Sequence, residues 1–279
     1  MKIVFLALAG GGIGHEKNLT TQREFMKPMM QEVEIFWCRF SSEITEIQVV
    51  ENEILIPGVE NYAGLLEKTI KAVQWLEKNI EFDFLIRTNT SNFFDITSVK
   101  RELSQFGENS SAGGVFGKWN GPISQTNCRF KFVSGAGIFL NRKAVEIVSA
   151  IDYKLYVNDP DDVAISFELL INNTKFIPIR RNDITDHKSL FGSPQFRLKS
   201  WKNDFVTQKR FELISSIYQA TDFLETFIRI SKFYRFQLIS CFKENPKRLL
   251  MLMFELSIYL PWNVIFFSSR RIRSTVLAR

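Results

Sequence analysis

The sequence predicts an α/β fold: a mostly parallel sheet flanked by helices over residues 1–192, followed by a helical extension over residues 193–279. Two observations lead there. From residue 1 to about 190, short apolar runs alternate with helix-period patterns, the order that packs helices over a parallel sheet. After about residue 193 the character changes to helical, basic and aromatic. A chain of 279 residues has room for one sizeable α/β domain and a smaller appendage.

The run at 3–9 reads as a buried first strand, and the glycines after it suit a strand-to-loop turn. Its apolar length sits at the lower limit for a secretion signal, which stays open as the alternative. Residues 33–38 form a second strand and 54–56 a third. Leu65, Leu66, Ile70, Val73 and Leu76 recur at three- and four-residue steps, which marks an amphipathic helix. Residues 82–86 are a buried strand ending in the polar run Arg87-Thr88-Asn89-Thr90-Ser91, and 175–179 is the last core strand. Ligands of such sheets gather beyond the carboxyl ends of strands, so a site is expected at 87–91.

Residues 205–242 read as one or two amphipathic helices rich in Phe and Ile. The stretch 249–267 is nearly continuous in apolar residues, between Lys247-Arg248 and Arg270, Arg271 and Arg273. It is long enough for a membrane span, but Glu255 and Pro261 count against one. The preferred reading is a helix lying in the plane of an anionic membrane surface; a buried helical hairpin is the alternative.

An apolar content of 45% with 24% charged residues indicates a globular chain. Cys38, Cys128 and Cys241 lie far apart, which argues against a disulfide framework or zinc site and fits a reducing compartment. The net charge of +6 favours polyanionic partners: nucleotide phosphates, acidic headgroups or nucleic acid. No nucleic-acid motif is present, and the Phe residues fall at helical core spacing, so nucleic acid is the weaker choice.

Local chemistry singles out three places. Asn158-Asp159-Pro160-Asp161-Asp162 opens a helix, with Pro160 near the first turn and carboxylates where the helix dipole favours them. Asp159 or Asp161 is the expected cap, so Asp161→Asn should be mild. Ser134-Gly135-Ala136-Gly137 lets backbone approach a ligand closely, and is equally a strand-to-turn crossing. Ala9-Gly10-Gly11-Gly12-Ile13-Gly14-His15 resembles the glycine loop of two-domain (GT-B) transferases. A second nucleotide-binding domain would then be needed, and residues 193–279 do not look like one. The loop is read instead as part of a nucleotide pocket in the first fold, aided by Thr20, Thr21 and Arg23, with a flexible turn as the alternative.

Four segments taken in order resemble the Fringe-like β-1,3-glycosyltransferase superfamily, which has a GT-A fold. Glu60-Asn61-Tyr62-Ala63-Gly64-Leu65-Leu66-Glu67-Lys68-Thr69, followed by Trp75, is similar to its D-S-Y-x-N-L-T-x-K-T helix. Phe84-Leu85-Ile86-Arg87-Thr88-Asn89-Thr90-Ser91-Asn92-Phe93 is similar to its metal-site strand, usually ending K-T-D-D-D-V-F. Phe132-Val133-Ser134-Gly135-Ala136-Gly137-Ile138-Phe139-Leu140-Asn141 matches Y-x-S-G-G-G-Y-V-L-S, and Asp159-Pro160-Asp161-Asp162-Val163-Ala164-Ile165-Ser166 the E-D-V-x-x-G or P-D-D-x-T-x-G motif. The likeness spans roughly residues 20–190.

The resemblance implies a GT-A-like sheet and transfer of a sugar, with inversion, from a nucleoside diphosphate, UDP above all, to a hydroxyl of a glycan or glycolipid. It implies Asp162 as catalytic base, with Ser134, Gly135, Ala136, Gly137 and Asp161 around the sugar and acceptor. Donor binding falls to Gly10, Gly11, Arg23, Arg87, Asn89, Ser91 and His187. An enzyme building surface polysaccharide at the cytoplasmic face of a membrane fits the basic tail. The departure is at the metal site, where Asn89-Thr90-Ser91 replaces the acidic triplet. Neutral oxygens bind a hard cation such as Mn or Mg poorly, so no tightly bound cofactor and no metal ligand is expected. Either basic side chains substitute (Arg87, Lys118, Arg129, Lys131, His187 or Lys188) or another carboxylate does, such as Asp95 or Asp83. A degenerate member that binds nucleotide or glycan without catalysis is the rival within this family.

Overall fold

The computed structural model describes residues 1–10, 13–124, 126–183, 193–197, 209, 212–213, 216 and 223–244. Gly11, His187, Lys188 and the stretch 249–267 lie outside the described residues. The expected α/β architecture is present, with helices on both faces of a large central sheet.

The centre is β1 (Ile3–Leu8), apolar and buried at every position. Its side chains alternate between two cores: Val4, Leu6 and Leu8 face one, Ile3, Phe5 and Ala7 the other. A strand covered on both sides has no solvent face to leave polar, which explains the unbroken run. To one side of β1 lie β2 (Glu34–Ser41), β4 (Glu53–Pro57) and the short β3 (Gln48–Val50). To the other lie β5 (Phe84–Asn89), β10 (Gly137–Asn141), β7 (Ser111–Gly114) and β11 (Lys175–Pro178). The eight-stranded order is β11-β7-β10-β5-β1-β2-β4-β3.

The first core receives α2 (Leu65–Asn79), α4 (Arg142–Ser149) and α5 (Asp161–Ile171). The second receives α1 (Ile13–Met26), α3 (Ile96–Leu103) and α6 (Phe223–Glu244). The predicted helix at 65–76 is α2, and its periodic residues Leu66, Ile70, Val73 and Leu76 are all buried.

The sheet is more mixed than the alternating pattern implies. β10 runs antiparallel to both β5 and β7, and β3 antiparallel to β4. The reason for β10 is local. The hairpin of β8 (Phe116–Ile123) and β9 (Thr126–Val133) brings the chain back to the sheet's carboxyl edge, so β10 enters there without a crossover helix. β5 also extends further than expected: Arg87, Thr88 and Asn89 are strand residues paired with β1, not a loop.

A small second sheet joins β6 (Asn92–Phe94), β13 (Gln195–Arg197) and β12 (Arg181–Asp183). The sequence division after residue 192 falls between β12 and β13, which pair with each other. Beyond it, Phe196, Ile230 and Phe233 join the second core. Among the described residues, no helix is long and apolar enough to cross a membrane.

Candidate functional site

β5 and β10 meet at the sheet's carboxyl edge, where Gly137 pairs with Thr88 and Ile138 with Arg87. This is the edge where parallel strands end and a loop can reach the next helix start, so it is the place topology reserves for a ligand.

Arg87 is 3% exposed and Asp161 7%. The guanidinium donates to the Asp161 carboxylate and to the Gly135 carbonyl. Burial pushes the Asp161 carboxyl up; Arg87 opposes that shift and the Asp162 charge adds to it. Two sequence expectations are corrected here. Asp161 is not a cap but the first residue of α5 and a buried ion-pair partner, while the N-cap is Pro160, which has no side-chain acceptor. Asp159 is no cap either: its carboxylate accepts the Ser124 N–H at 3.0 Å, tying down the turn of the β8–β9 hairpin. Arg87, predicted to bind the donor, is ion-paired with Asp161 inside the protein.

Asp162 is half-buried, and its Oδ2 accepts the Gly135 N–H at 2.7 Å. The loop carrying Gly135 is fixed by polar partners from several elements. Its Ser134 N–H donates to Val115 O at 2.8 Å, and the Ser134 hydroxyl accepts from Arg181 at 3.0 Å. The Ala136 carbonyl accepts from Thr88 Oγ1 at 2.9 Å and from Gln195 Nε2 at 2.6 Å. Glycine is required at 135 for space. A Cβ there would lie 2.9 Å from the Arg87 guanidinium and 3.0 Å from the Asp162 Cβ. Gly135→Ala is therefore expected to push Asp162 off its hydrogen bond, at a cost typical of overpacking, roughly 1–3 kcal/mol. Melting curves check this: the melting temperature should fall, and an unchanged value would refute the close packing.

Tyr62, on the loop before α2, overlooks the same place although it is 76% exposed. Its phenol is raised by loss of water around it and by the Asp161 and Asp162 carboxylates, with Arg87 opposing. Lys68 is fully buried and donates to the Ala9 carbonyl at 2.6 Å and to both Glu60 oxygens at 2.8 and 2.9 Å. It thus anchors the end of β1, where Gly10 begins the loop.

The residues aligned with the acidic triplet do not fit a divalent cation. Asn89 Oδ1 accepts from the Ser91 hydroxyl at 2.9 Å and from the Asn92 amide, closing a turn whose Asn89 and Asn92 carbonyls accept from Gln22 Nε2. Thr90 and Ser91 are buried. Neither substitute carboxylate serves. Asp95 caps α3, its Oδ1 accepting the Ser98 N–H at 3.0 Å, and Asp83 lies just ahead of β5, at its opposite end, on the Lys2 N–H at 2.7 Å. Among the described residues, no three His, Cys, Asp or Glu side chains converge on a common point.

Other predicted donor residues lie apart from this cluster. Arg23 stacks on Trp37, 5.1 Å from the ring centre, and pairs with Glu53 at 3.2 Å. It stands ten residues into α1, roughly 15 Å along the axis from the helix start. Lys118, Arg129 and Lys131 occupy the outward face of the β8–β9 hairpin, with Lys118 directly opposite Lys131.

Sequence reasoning missed Arg181, Gln195 and Arg197. Arg181 grips Asp183 with two bonds, at 2.8 and 3.0 Å, while reaching Ser134. Arg197 follows Gln195 by two residues, so both face the same side of β13 while Phe196 enters the core. Burial and the Arg181 charge lower the Arg197 pKa, and Asp183 and Asp162 oppose them. The one available signal was the polar–apolar–polar alternation of Gln195-Phe196-Arg197.

No family model matches the chain, and no curated protein does. Solved structures similar to it include a glycosyltransferase involved in glycosylation of the major capsid of PBCV-1. That likeness has a TM-score of 0.49 at 10% identity, over 76% of this chain and 100% of that one. The galactosyltransferase LgtC, in complex with donor and acceptor sugar analogs, gives 0.45 at 12% identity, over 77% and 95% of the two chains. HddC from Yersinia pseudotuberculosis, complexed with GMP-PN, gives 0.39 at 14% identity, over 76% and 100%.

Proposed function

We propose that this chain is a GT-A-type glycosyltransferase that moves a sugar from a UDP-sugar to a hydroxyl of a glycan or glycolipid, with inversion, and that Asp162 is its base. One observation carries the reading. Three sequence segments that resemble the Fringe-like superfamily, distant along the chain, are bonded into a single cluster through Arg87, Gly135, Asp161 and Asp162.

In the proposed reaction the acceptor hydroxyl gives its proton to Asp162 as its oxygen bonds to the anomeric carbon. The bond from that carbon to the diphosphate breaks on the opposite face, and the diphosphate leaves with the electron pair. The Gly135 N–H aims one carboxylate oxygen. Asp162 Oδ1 has no hydrogen-bond partner among the described residues, which leaves it for the proton. Asp161 cannot do this work, because its charge is enclosed with Arg87. Tyr62 offers an exposed aromatic face beside the carboxylates for a sugar ring.

The test is a panel of nucleotide sugars, read by melting shift and by donor hydrolysis or transfer, with and without chelator. A matching donor binds only the folded chain and raises its melting temperature by mass action. We expect one UDP-sugar to do so, and substantial activity to survive chelation. A panel without any turnover would leave only a degenerate binder. Complete loss in chelator, reversed by manganese, would remove the metal-free part of the proposal.

A further inference from the structure

The triplet position does not fit a metal, yet a departing diphosphate needs positive charge beside it. We propose that Arg181 and Arg197 form a metal-free diphosphate site, placed next to the turn where related sequences carry their acidic triplet. The inference rests on the transferase reading above and names the residues that would hold the donor's phosphates.

Arg197 pairs in register with Asn92, the residue directly after Ser91, and on its other side with Asp183. Gln195, on the same face of β13, reaches the Ala136 carbonyl, so that face is turned toward the Ser134–Ala136 loop. Arg181 approaches the same loop from β12 and donates to Ser134. Two arginines from neighbouring strands thus border one loop, and Asp183 is the carboxylate that Arg181 grips between them.

Two guanidinium groups and one carboxylate, Asp183, leave a net positive charge for a further anion to balance. Burial and Arg181 lower the Arg197 pKa more than Asp183 and Asp162 raise it. A diphosphate suits the arrangement chemically. Guanidinium groups are planar, always charged, and offer paired N–H donors that match phosphate oxygens. Fixed cations can also stabilise charge as it develops on a leaving group, the task a divalent ion performs elsewhere.

The experiment measures binding of inorganic pyrophosphate and of UDP to the full chain in excess chelator, by calorimetry, with uridine as a phosphate-free control. The wild type should bind both phosphorylated probes without metal. Arg197→Gln should weaken both by roughly 10–100-fold, the usual scale for losing hydrogen bonds to a charged group, and leave uridine unchanged. Arg197→Lys keeps the charge without the fork and should fall between; it also serves as the readout if Arg197→Gln does not fold. Pyrophosphate binding that is equal in all three proteins, absent in the wild type, or dependent on manganese would overturn the site. A transfer assay separates this from the broader reading. Arg197-dependent pyrophosphate binding in a chain that transfers no sugar would keep the anion site and remove the transferase. Transfer with Arg197-independent binding would do the reverse.

Discussion

Asp162→Asn should reduce sugar transfer by roughly 10²–10⁴-fold, the usual contribution of a general base, while donor affinity stays near that of the wild type. The substitution keeps the shape of the side chain and an oxygen to accept the Gly135 N–H, which now lies 2.7 Å from the carboxylate. What it removes is basicity at neutral pH. The loss should therefore fall on kcat, since the proton moves only in the transition state. Purified variant and wild type would first be compared by melting, then by rate and donor binding. Transfer at near wild-type rate would place the base elsewhere. Collapse of donor affinity together with rate would make Asp162 a binding residue.

Asp161→Asn should be the more damaging change for stability, which reverses the sequence expectation of a mild loss. Its carboxylate is the counter-charge to an Arg87 that is 3% exposed. Removing one member of a buried ion pair leaves the other charge uncompensated, at about 3–5 kcal/mol. For a domain of this size that is a fall of several degrees or more in melting temperature. Arg87→Met should cost a similar amount, since it strands the Asp161 carboxylate. The double change Arg87→Met with Asp161→Leu should recover much of the stability, because a matched apolar pair has no charge to desolvate. It should not recover activity, because the Gly135 carbonyl loses its donor and Asp162 its fixed neighbour. Measured against the single changes Arg87→Met and Asp161→Leu, additive losses in the double variant would show that the two side chains do not act as a pair.

Much of the fold was legible because burial writes itself into sequence periodicity. Residues 3–8 had to be apolar on both faces, and α2 had to place Leu66, Ile70, Val73 and Leu76 on one side. Antiparallel β10 was not legible, since its apolar run looks the same in either direction; only the pairing of Gly137 with Thr88 fixes it. Within the site, the carboxylates and the glycine loop could be named from motif order. Their partners could not. Asp159 and Asp161 carry the residue type of a cap, and nothing local reveals that one reaches Ser124 and the other Arg87. Arg197 was hidden for a similar reason: its strand is three residues long, and its meaning depends on pairing with Asn92, far earlier in the chain.

The anchoring of the Ser134–Ala136 loop makes the site depend on distant parts of the chain. Its anchors come from 27 positions away at Asp162, 47 at Arg181, 48 at Arg87 and 59 at Gln195. None of these four is a neighbour that a local helix or hairpin supplies, whereas Val115, at the root of the β8–β9 hairpin, is. Contacts of that separation depend on the strands and helices that carry them being in place, as the pairing of β1 with β5 does. An aimed carboxylate therefore requires β5, β10 and α5 together, and no single local element supplies it. Conversely, fraying of the slender ribbon of β12 and β13 takes Arg181 and Gln195 away from the loop and Phe196 out of the second core. The arrangement proposed for catalysis thus depends on contacts that no one local element provides.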